Sequence, residues 1–379
     1  NKTCTKLVIL QLIDEGKLGM NGLMVDYLND FHQPESHKIT ISHLLTHQSG
    51  FGDYYSPAYW ELPIQSRNTE NTLNLIREMP LSFSPGTEQE YSNAGYVLLA
   101  AIIEKVTKMS YAENVLHRIK EPLNLEGLML QEIKSDTNRA IGYMKGINGY
   151  TDNEDMISEP LGDGGFYSMA TDILKLHLAY FYDHKLLDSI ARKNDDFLNQ
   201  IKPFYTEKGR GIPLAGGYNG ANTIHIEMLA DNISIIVCAN MDEPVAEKIA
   251  KGIFQLINNK SPEPARLPAK LEVYEKYQLH GISYVKKNFN ALISNWFDND
   301  PKDIILNSLG YELIEDGQLD VAIRFLKLNT ELFPEVANCW DSYAEALANA
   351  GKNDSALIYY KKALEIDPNL PSALKAVEK

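Results

Sequence analysis

Ser308, Gly317, Ala322, Phe325 and Pro334 recur 34 residues on as Ser342, Gly351, Ala356, Tyr359 and Pro368. A fixed offset of this length is the mark of a stacked supersecondary unit, and it leaves the end of the chain few folds to choose from. Each unit needs two helices. A glycine just past the first helix ends it in a left-handed turn. An alanine lets the paired helices approach, and a proline closes the unit because it cannot continue the second helix. Gly317 and Gly351 fill the first role, Ala322 and Ala356 the second, Pro334 and Pro368 the third. The repeats are expected at about 303–336 and 337–370, within a helical tail over 271–379. About three such units are usually needed for stability. Two repeats should therefore lean on a neighbour, either the helical stretch Leu271 to Phe297 or the domain before them.

This unit resembles the tetratricopeptide repeat, whose period is also 34 residues. The resemblance implies a surface that recruits a protein partner. Ahead of the tail, residues 258–270 carry Pro262, Pro264 and Pro268 among polar residues and read as a linker. Residues 1–257 mix helical and strand patterns, so a chain of 379 residues divides into at least two units. Its 36 basic and 51 acidic residues leave a net charge of −15. No basic stripe is available to displace phosphate counterions, so no nucleic-acid partner is expected. No apolar run approaches the ~18 residues of a membrane span. Cys4, Cys238 and Cys339 are odd in number and widely spread, and they read as buried small hydrophobes.

The chain opens with Asn1-Lys2-Thr3-Cys4-Thr5, without an initiator methionine or a leader, and runs into an amphipathic helix. Leu7, Leu10, Ile13 and Leu18 form its apolar stripe, and the Gly16-Lys17-Leu18 turn ends it. Next come Ile39-Thr40-Ile41-Ser42-His43-Leu44-Leu45-Thr46-His47-Gln48-Ser49-Gly50, then Ser84-Pro85-Gly86-Thr87, then Tyr91-Ser92-Asn93. Gly162-Asp163-Gly164-Gly165 leads into a helix that Thr171 or Asp172 is expected to cap. Asn222 to Leu229 and Ile233 to Ala239 read as strands joined by a turn at Asp231-Asn232, and Glu243 to Leu256 as a closing helix.

The order of these segments resembles the serine β-lactamase-related family, which groups class C β-lactamases, D-alanyl-D-alanine carboxypeptidases, penicillin-binding-protein-like enzymes and esterases. The resemblance covers residues 1–257 and implies an α/β (α+β) fold, an antiparallel sheet flanked by helices, with the all-α repeat tail behind it. It also implies a Ser-x-x-Lys motif at the head of the first helix. Counting back seven residues from Ile9 sets the lysine at Lys2, so the serine falls ahead of Asn1 and the chain is expected to begin inside its motif. Serine and lysine three apart share one helix face, so an amine can take the hydroxyl proton. A rival register, Thr3-Cys4-Thr5-Lys6 with threonine as nucleophile, deletes four residues and turns the apolar stripe away from the core.

Tyr91 and Asn93 match the family's Tyr-x-Asn. The resemblance makes a desolvated Tyr91 a catalytic acid or base beside Lys2, and Asn93 a partner for the lysine or a substrate amide. At the third motif the family has Lys-Thr-Gly or His-x-Gly on a strand, and here Leu214-Ala215-Gly216-Gly217 puts leucine at the Lys/His position. Gly216 and Gly217 keep the strand bare as substrate-binding residues, with Gly217 N–H as half of an oxyanion hole. Leu214 offers no charge to a substrate carboxylate. His43 and His47 stand four apart, a zinc-like spacing, but lack the intervening glutamate and a third ligand. They read as packing residues, and His225 as a satisfied structural histidine. No metal or cofactor is expected. The function implied is an extracytoplasmic serine hydrolase acting on a small-molecule or peptide ester or amide through an acyl-enzyme. The alternative is a non-catalytic relative that binds a peptide or wall fragment. Residues 1–379 alone are expected to be inactive.

Overall fold

The computed structural model describes residues 1–130, 139–156, 159–183, 185–187, 192–264, 266–294, 296 and 301–377. Ala265 of the expected linker, and Asn295 and Phe297 of the expected helical stretch, lie outside them. The chain forms two compact units: residues 1–144 with 152–262, and residues 145–151 with 263–379.

In the first unit, α1 (Lys2–Asp14) ends where the sequence places a stop. Gly16 adopts φ +68°, its N–H donates to Ile13 O at 3.0 Å, and Lys17 N–H reaches Leu12 O at 2.9 Å. That is a Schellman cap, which occupies carbonyls the helix leaves open. The expected one-sided stripe is a correction, because Leu7, Val8, Ile9 and Leu10 are all buried. A helix apolar all round belongs in the middle of a core. Its partner there is α3 (Asn93–Thr107), whose Val97, Leu98, Leu99, Ile102 and Ile103 are fully buried. The short α2 (Ile41–Leu45) begins at Thr40, whose hydroxyl accepts from His43 N–H at 3.1 Å. A two-stranded hairpin, β1 (Tyr143–Gly146) and β2 (Gly149–Asp152), comes next in the chain, with its residues 145–151 counted in the second unit.

The main sheet is antiparallel, in the order β3 (Ile212–Tyr218), β4 (Ala221–Met228), β5 (Ile233–Ala239). Alternation along β4 assigns its two faces. Ile224 and Met228 pack with Ala246 and Ala250 of α5 (Val245–Ile257). His225 and Glu227 lie on the opposite face, where His225 stacks on His177 of α4 (Ala170–Leu178). Neither Thr171 nor Asp172 caps α4, whose N-cap is Met169. The Asp172 carboxylate instead accepts from Gly127 N–H at 2.6 Å. All three cysteines are free, but Cys238 is exposed, unlike Cys4 and Cys339.

The second unit is a run of paired helices: α6 (Ala269–His280) with α7 (Ile282–Leu292), α8 (Asp303–Glu315) with α9 (Leu319–Leu332), α10 (Ala337–Asn349) with α11 (Asn353–Ile366), then α12 (Pro371–Val377). Gly317 and Gly351 adopt φ +75° and +73°. Each is followed by a matching bond, Gln318 N–H to Leu313 O at 2.8 Å and Lys352 N–H to Leu347 O at 2.9 Å. Ala322 and Ala356 are buried at the helix crossings. The two repeats lean on α6 and α7: Val273, Val285 and Phe289 share one core with Ile305, Leu309 and Phe325. Residues 145–151 belong to this unit too, with Ile147 packed on the same core and its N–H bonded to Glu312.

Candidate active site

The first turn of α1 is tied to the glycine-rich segment. Asn1 Nδ2 donates to Leu161 O at 2.8 Å, and Asn1 Oδ1 accepts from Phe166 N–H at 3.1 Å. The Thr5 hydroxyl donates to Gly162 O. Glycine is required at 162, because a Cβ there would stand 2.2 Å from Tyr96 O. Lys2 Nζ then lies between two loops. It donates to Asn93 Oδ1 at 2.6 Å and to the main-chain oxygen of Asp163 at 3.2 Å. The amine also sits 5.0 Å from the Tyr91 ring centre and 5.8 Å from that of Tyr96, within cation–π range.

Tyr91-Ser92-Asn93 is the N-terminus of α3. Ser92 is the cap, accepting from Gly95 N–H at 2.9 Å, and Asn93 is the first helical residue. Asn93 Nδ2 donates to Asp53 Oδ2 at 2.8 Å, which fixes the amide so that its oxygen faces Lys2. The structure therefore brings Lys2, Tyr91 and Asn93 together. It differs on one point: Tyr91 is 61% exposed rather than desolvated. The rival lysine is engaged elsewhere, since Lys6 Nζ pairs with Asp195 at 3.2 Å and bonds the Tyr180 hydroxyl.

His47 supports this corner. Its Nδ1 accepts from Ser92 N–H at 3.1 Å, and its ring lies 4.8 Å from Tyr91 and 5.3 Å from Tyr96. Burial, reinforced by the charge of Lys2, lowers its pKa to about 4. The ring is thus neutral near pH 7, as an acceptor must be. Unfolded, the same ring titrates near pH ~6.5. The folded state therefore holds its full stability above pH ~6.5 and loses it as pH falls toward about 4. We expect roughly 1–3 kcal/mol to be lost across that window, and His47→Gln to flatten the slope in denaturant titrations at stepped pH. His43 accepts from Thr40 N–H at 3.4 Å through Nδ1, so each histidine has a local hydrogen-bonding role. Among the described residues no cluster of three His, Cys, Asp or Glu is placed to hold a metal ion.

β3 is an edge strand. Tyr218 and Ala221 flank the two-residue turn and pair with each other. Pro213, Ala215 and Gly217 occupy the alternate positions of the ladder. Proline has no N–H to give and is tolerated where the main chain faces off the sheet. The same parity aims the N–H of Gly217 off the free edge. A Cβ on Gly216 would meet nothing within 4 Å, so that glycine leaves the wall bare. Leu214 is half-buried and packs against the main core. Residues 214–218, Asn1, Thr3 and Cys4 of the α1 end, and Asp163 to Phe166 line one cavity of about 320 Å³.

Sequence reasoning missed three residues around this cavity. Asp163 is buried, and its Oδ2 accepts from the Tyr54 hydroxyl at 3.0 Å. Its signal was an acidic residue set among glycines. His177 and Glu227 had no local signal, since α4 and β4 meet only in the fold. His225 is not fully satisfied: Nε2 faces Glu227 Oε2 at 2.9 Å, but Nδ1 is buried without a partner among the described residues.

Two family models match the chain, one described as Beta-lactamase over residues 1–253 and one as Tetratricopeptide repeat over residues 337–370. Penicillin-binding protein 4* of Bacillus subtilis (strain 168) is 28% identical over 275 residues, 64% of this chain and 60% of that protein. Teichoic acid D-alanine hydrolase of Staphylococcus aureus is 29% identical over 262 residues, 61% of this chain and 64% of that protein. The chain spans about three-fifths of the length of these relatives. A penicillin-binding protein from Bacillus halodurans superposes with a TM-score of 0.56 at 23% identity, covering 68% of this chain and 84% of that one. A D-stereospecific amidohydrolase from Streptomyces sp. gives 0.54 at 23%, covering 64% and 80%. At these identities the likeness is one of fold. The first family match takes in well over half of the 379 residues, so the chain belongs to the Beta-lactamase family and carries a tetratricopeptide repeat behind the family domain.

Proposed function

We propose that the first unit is a serine hydrolase that cleaves an ester or amide through an acyl-enzyme. The observation that carries this reading is the 2.6 Å bond from Lys2 Nζ to Asn93 Oδ1, with the Tyr91 ring over the same amine. The nucleophile is the serine that the Ser-x-x-Lys register sets three residues ahead of Lys2. Its oxygen bonds the substrate carbonyl carbon while its proton passes to the Lys2 amine. The oxyanion formed is met by Gly217 N–H and by the N–H of the serine. Tyr91 delivers a proton to the leaving group and regains one from Lys2; water then adds to the acyl carbon, one of its protons returns to the serine oxygen as the acyl–oxygen bond breaks, and the acid leaves. Asn93 holds Lys2 in place, and Gly216 leaves room for the substrate chain. In this reading residues 1–379 without the serine do not turn over substrate.

Tyr91→Phe tests the proton-transfer role in the natural protein. Its kcat on an activated ester should fall about 10²–10⁴-fold with KM little changed. An unchanged kcat would remove Tyr91 from the mechanism. A relative named for teichoic acid D-alanine supports an extracytoplasmic setting for this chain, and the repeat supports a protein partner bound by the tail. A second reading, a non-catalytic cleft that holds a peptide or wall fragment, is favoured by Leu214 alone. Alanine or glycine three residues ahead of Lys2 would establish it.

A further inference from the structure

Lys2 Nζ has two acceptors, Asn93 Oδ1 and the main-chain oxygen of Asp163. Both lead back to one short segment, Gly52-Asp53-Tyr54-Tyr55, to which the family resemblance gives no role. Asp53 Oδ2 accepts from Asn93 Nδ2 at 2.8 Å, and its Oδ1 accepts from Tyr55 N–H at 3.1 Å. The Tyr54 hydroxyl donates to Asp163 Oδ2 at 3.0 Å. Gly52 O accepts from the hydroxyl of Ser92, the residue before Asn93, at 2.9 Å. These bonds close a ring. It runs from Lys2 to Asn93, to Asp53, along the chain to Tyr54, to Asp163 and back to Lys2.

The charges at this corner are the Lys2 amine and the carboxyls of Asp53 and Asp163. Burial raises the Asp163 carboxyl above its ordinary value; Lys2 and then Tyr54 offset part of the rise, and Asp53 adds to it. Lys6, one turn further along α1, is paired with Asp195. Position 53 also has a chemical requirement of its own. Asp53 meets two N–H donors with two oxygens. A carboxylate accepts at both, whereas an amide has one acceptor oxygen and brings two N–H bonds of its own. The orientation of Asn93 follows from that match. With an acceptor at 53, Asn93 turns its NH2 to Asp53 and its oxygen to Lys2. A donor at 53 would turn the amide over and set N–H against the N–H bonds of Lys2.

We infer that Asp53 is a positioning residue for acyl transfer: it orients the Asn93 amide so that the oxygen meets Lys2, and it heads the segment whose Tyr54 holds the second acceptor, Asp163. Lys2 takes part in acyl transfer only in the acyl-enzyme reading, on which this assignment rests. The ring has a distinctive consequence, because its central pair can be exchanged. In the double variant Asp53→Asn/Asn93→Asp, the new carboxylate accepts from Lys2 Nζ and from the new amide, whose oxygen accepts from Tyr55 N–H. Every bond is kept, with donor and acceptor of the central pair exchanged. Either change alone breaks the match. Asp53→Asn leaves two N–H donors competing for one oxygen and turns the Asn93 amide over. Asn93→Asp sets two carboxylates against each other at hydrogen-bond distance.

The test is turnover of an activated ester by the natural protein, its two single variants and the double variant, each checked for its fold by circular dichroism. Each single variant should lose about tenfold or more in kcat with KM little changed. The double variant should return to within about threefold of the parent. A merely structural role would leave kcat unmoved in variants that fold. If one single variant fails to fold, the other single and recovery in the double variant still decide. Single variants at the parent rate, or a double variant slowed by the product of the single effects, overturn the assignment. A natural protein that neither turns over the ester nor takes a fluorophosphonate label retires the acyl-enzyme reading instead. Urea denaturation of residues 1–379 then decides whether Asp53 orients Asn93. Asn93→Asp should lower the midpoint and the added Asp53→Asn should restore it; losses that add overturn the orientation too.

Discussion

Lys2→Met in the natural protein should slow acylation by a fluorophosphonate or an activated ester by about 10³-fold or more, with the fold intact by circular dichroism. The size follows from what Lys2 does in the proposed mechanism. It is the group set to receive the serine proton, and the neighbouring bases are committed elsewhere. His47 uses Nδ1 on Ser92 N–H, and Lys6 is paired with Asp195. Lys2→Arg should not rescue, because a guanidinium stays protonated at working pH and its fork does not reproduce the single bond to Asn93. A Lys2→Met protein that acylates at the parent rate would remove the lysine from the chemistry, however well its geometry fits.

The second large effect concerns stability. Phe325→Ala should destabilise the helical unit by about 3–5 kcal/mol, read as a loss of roughly 10 °C or more in its melting transition. Phe325 is fully buried, its ring lies 4.8 Å from Tyr277, and it joins α9 to the core shared with α6 and α7. Its counterpart one repeat later, Tyr359, stands at the outer end of the array and is only half-buried. Tyr359→Ala should therefore cost clearly less. Equal costs would mean that the repeats do not share the nucleus around α6 and α7.

These contrasts show which features were legible in the residues alone. The glycines at 16, 317 and 351 were readable as helix ends because a left-handed backbone leaves a mark on residue choice, and all three carry positive φ. The strand around Gly216 and Gly217 was readable through the resemblance, whereas its place at the edge of the sheet came from the pairing of β3 with β4 alone. Burial around α1 was not. A stripe at Leu7, Leu10 and Ile13 is compatible with one covered face or with all faces covered, and only the packing of α3 decides. Cys238 failed for a similar reason: its alternation in β5 says that it faces one side of the sheet, not whether that side is filled. Tyr91 sits in the expected motif, yet its exposure depends on what the surrounding loops cover. The cluster of His177, His225 and Glu227 was least legible, because α4 and β4 bring it together only in the fold.

Fluorophosphonate labelling of the natural protein, followed by peptide mapping, tests the central claim most directly. The account predicts a single adduct on a serine three residues ahead of Lys2, and no adduct on residues 1–379 by themselves. An adduct on Thr3 or any other residue within 1–379, or a natural protein that takes no label, would contradict it.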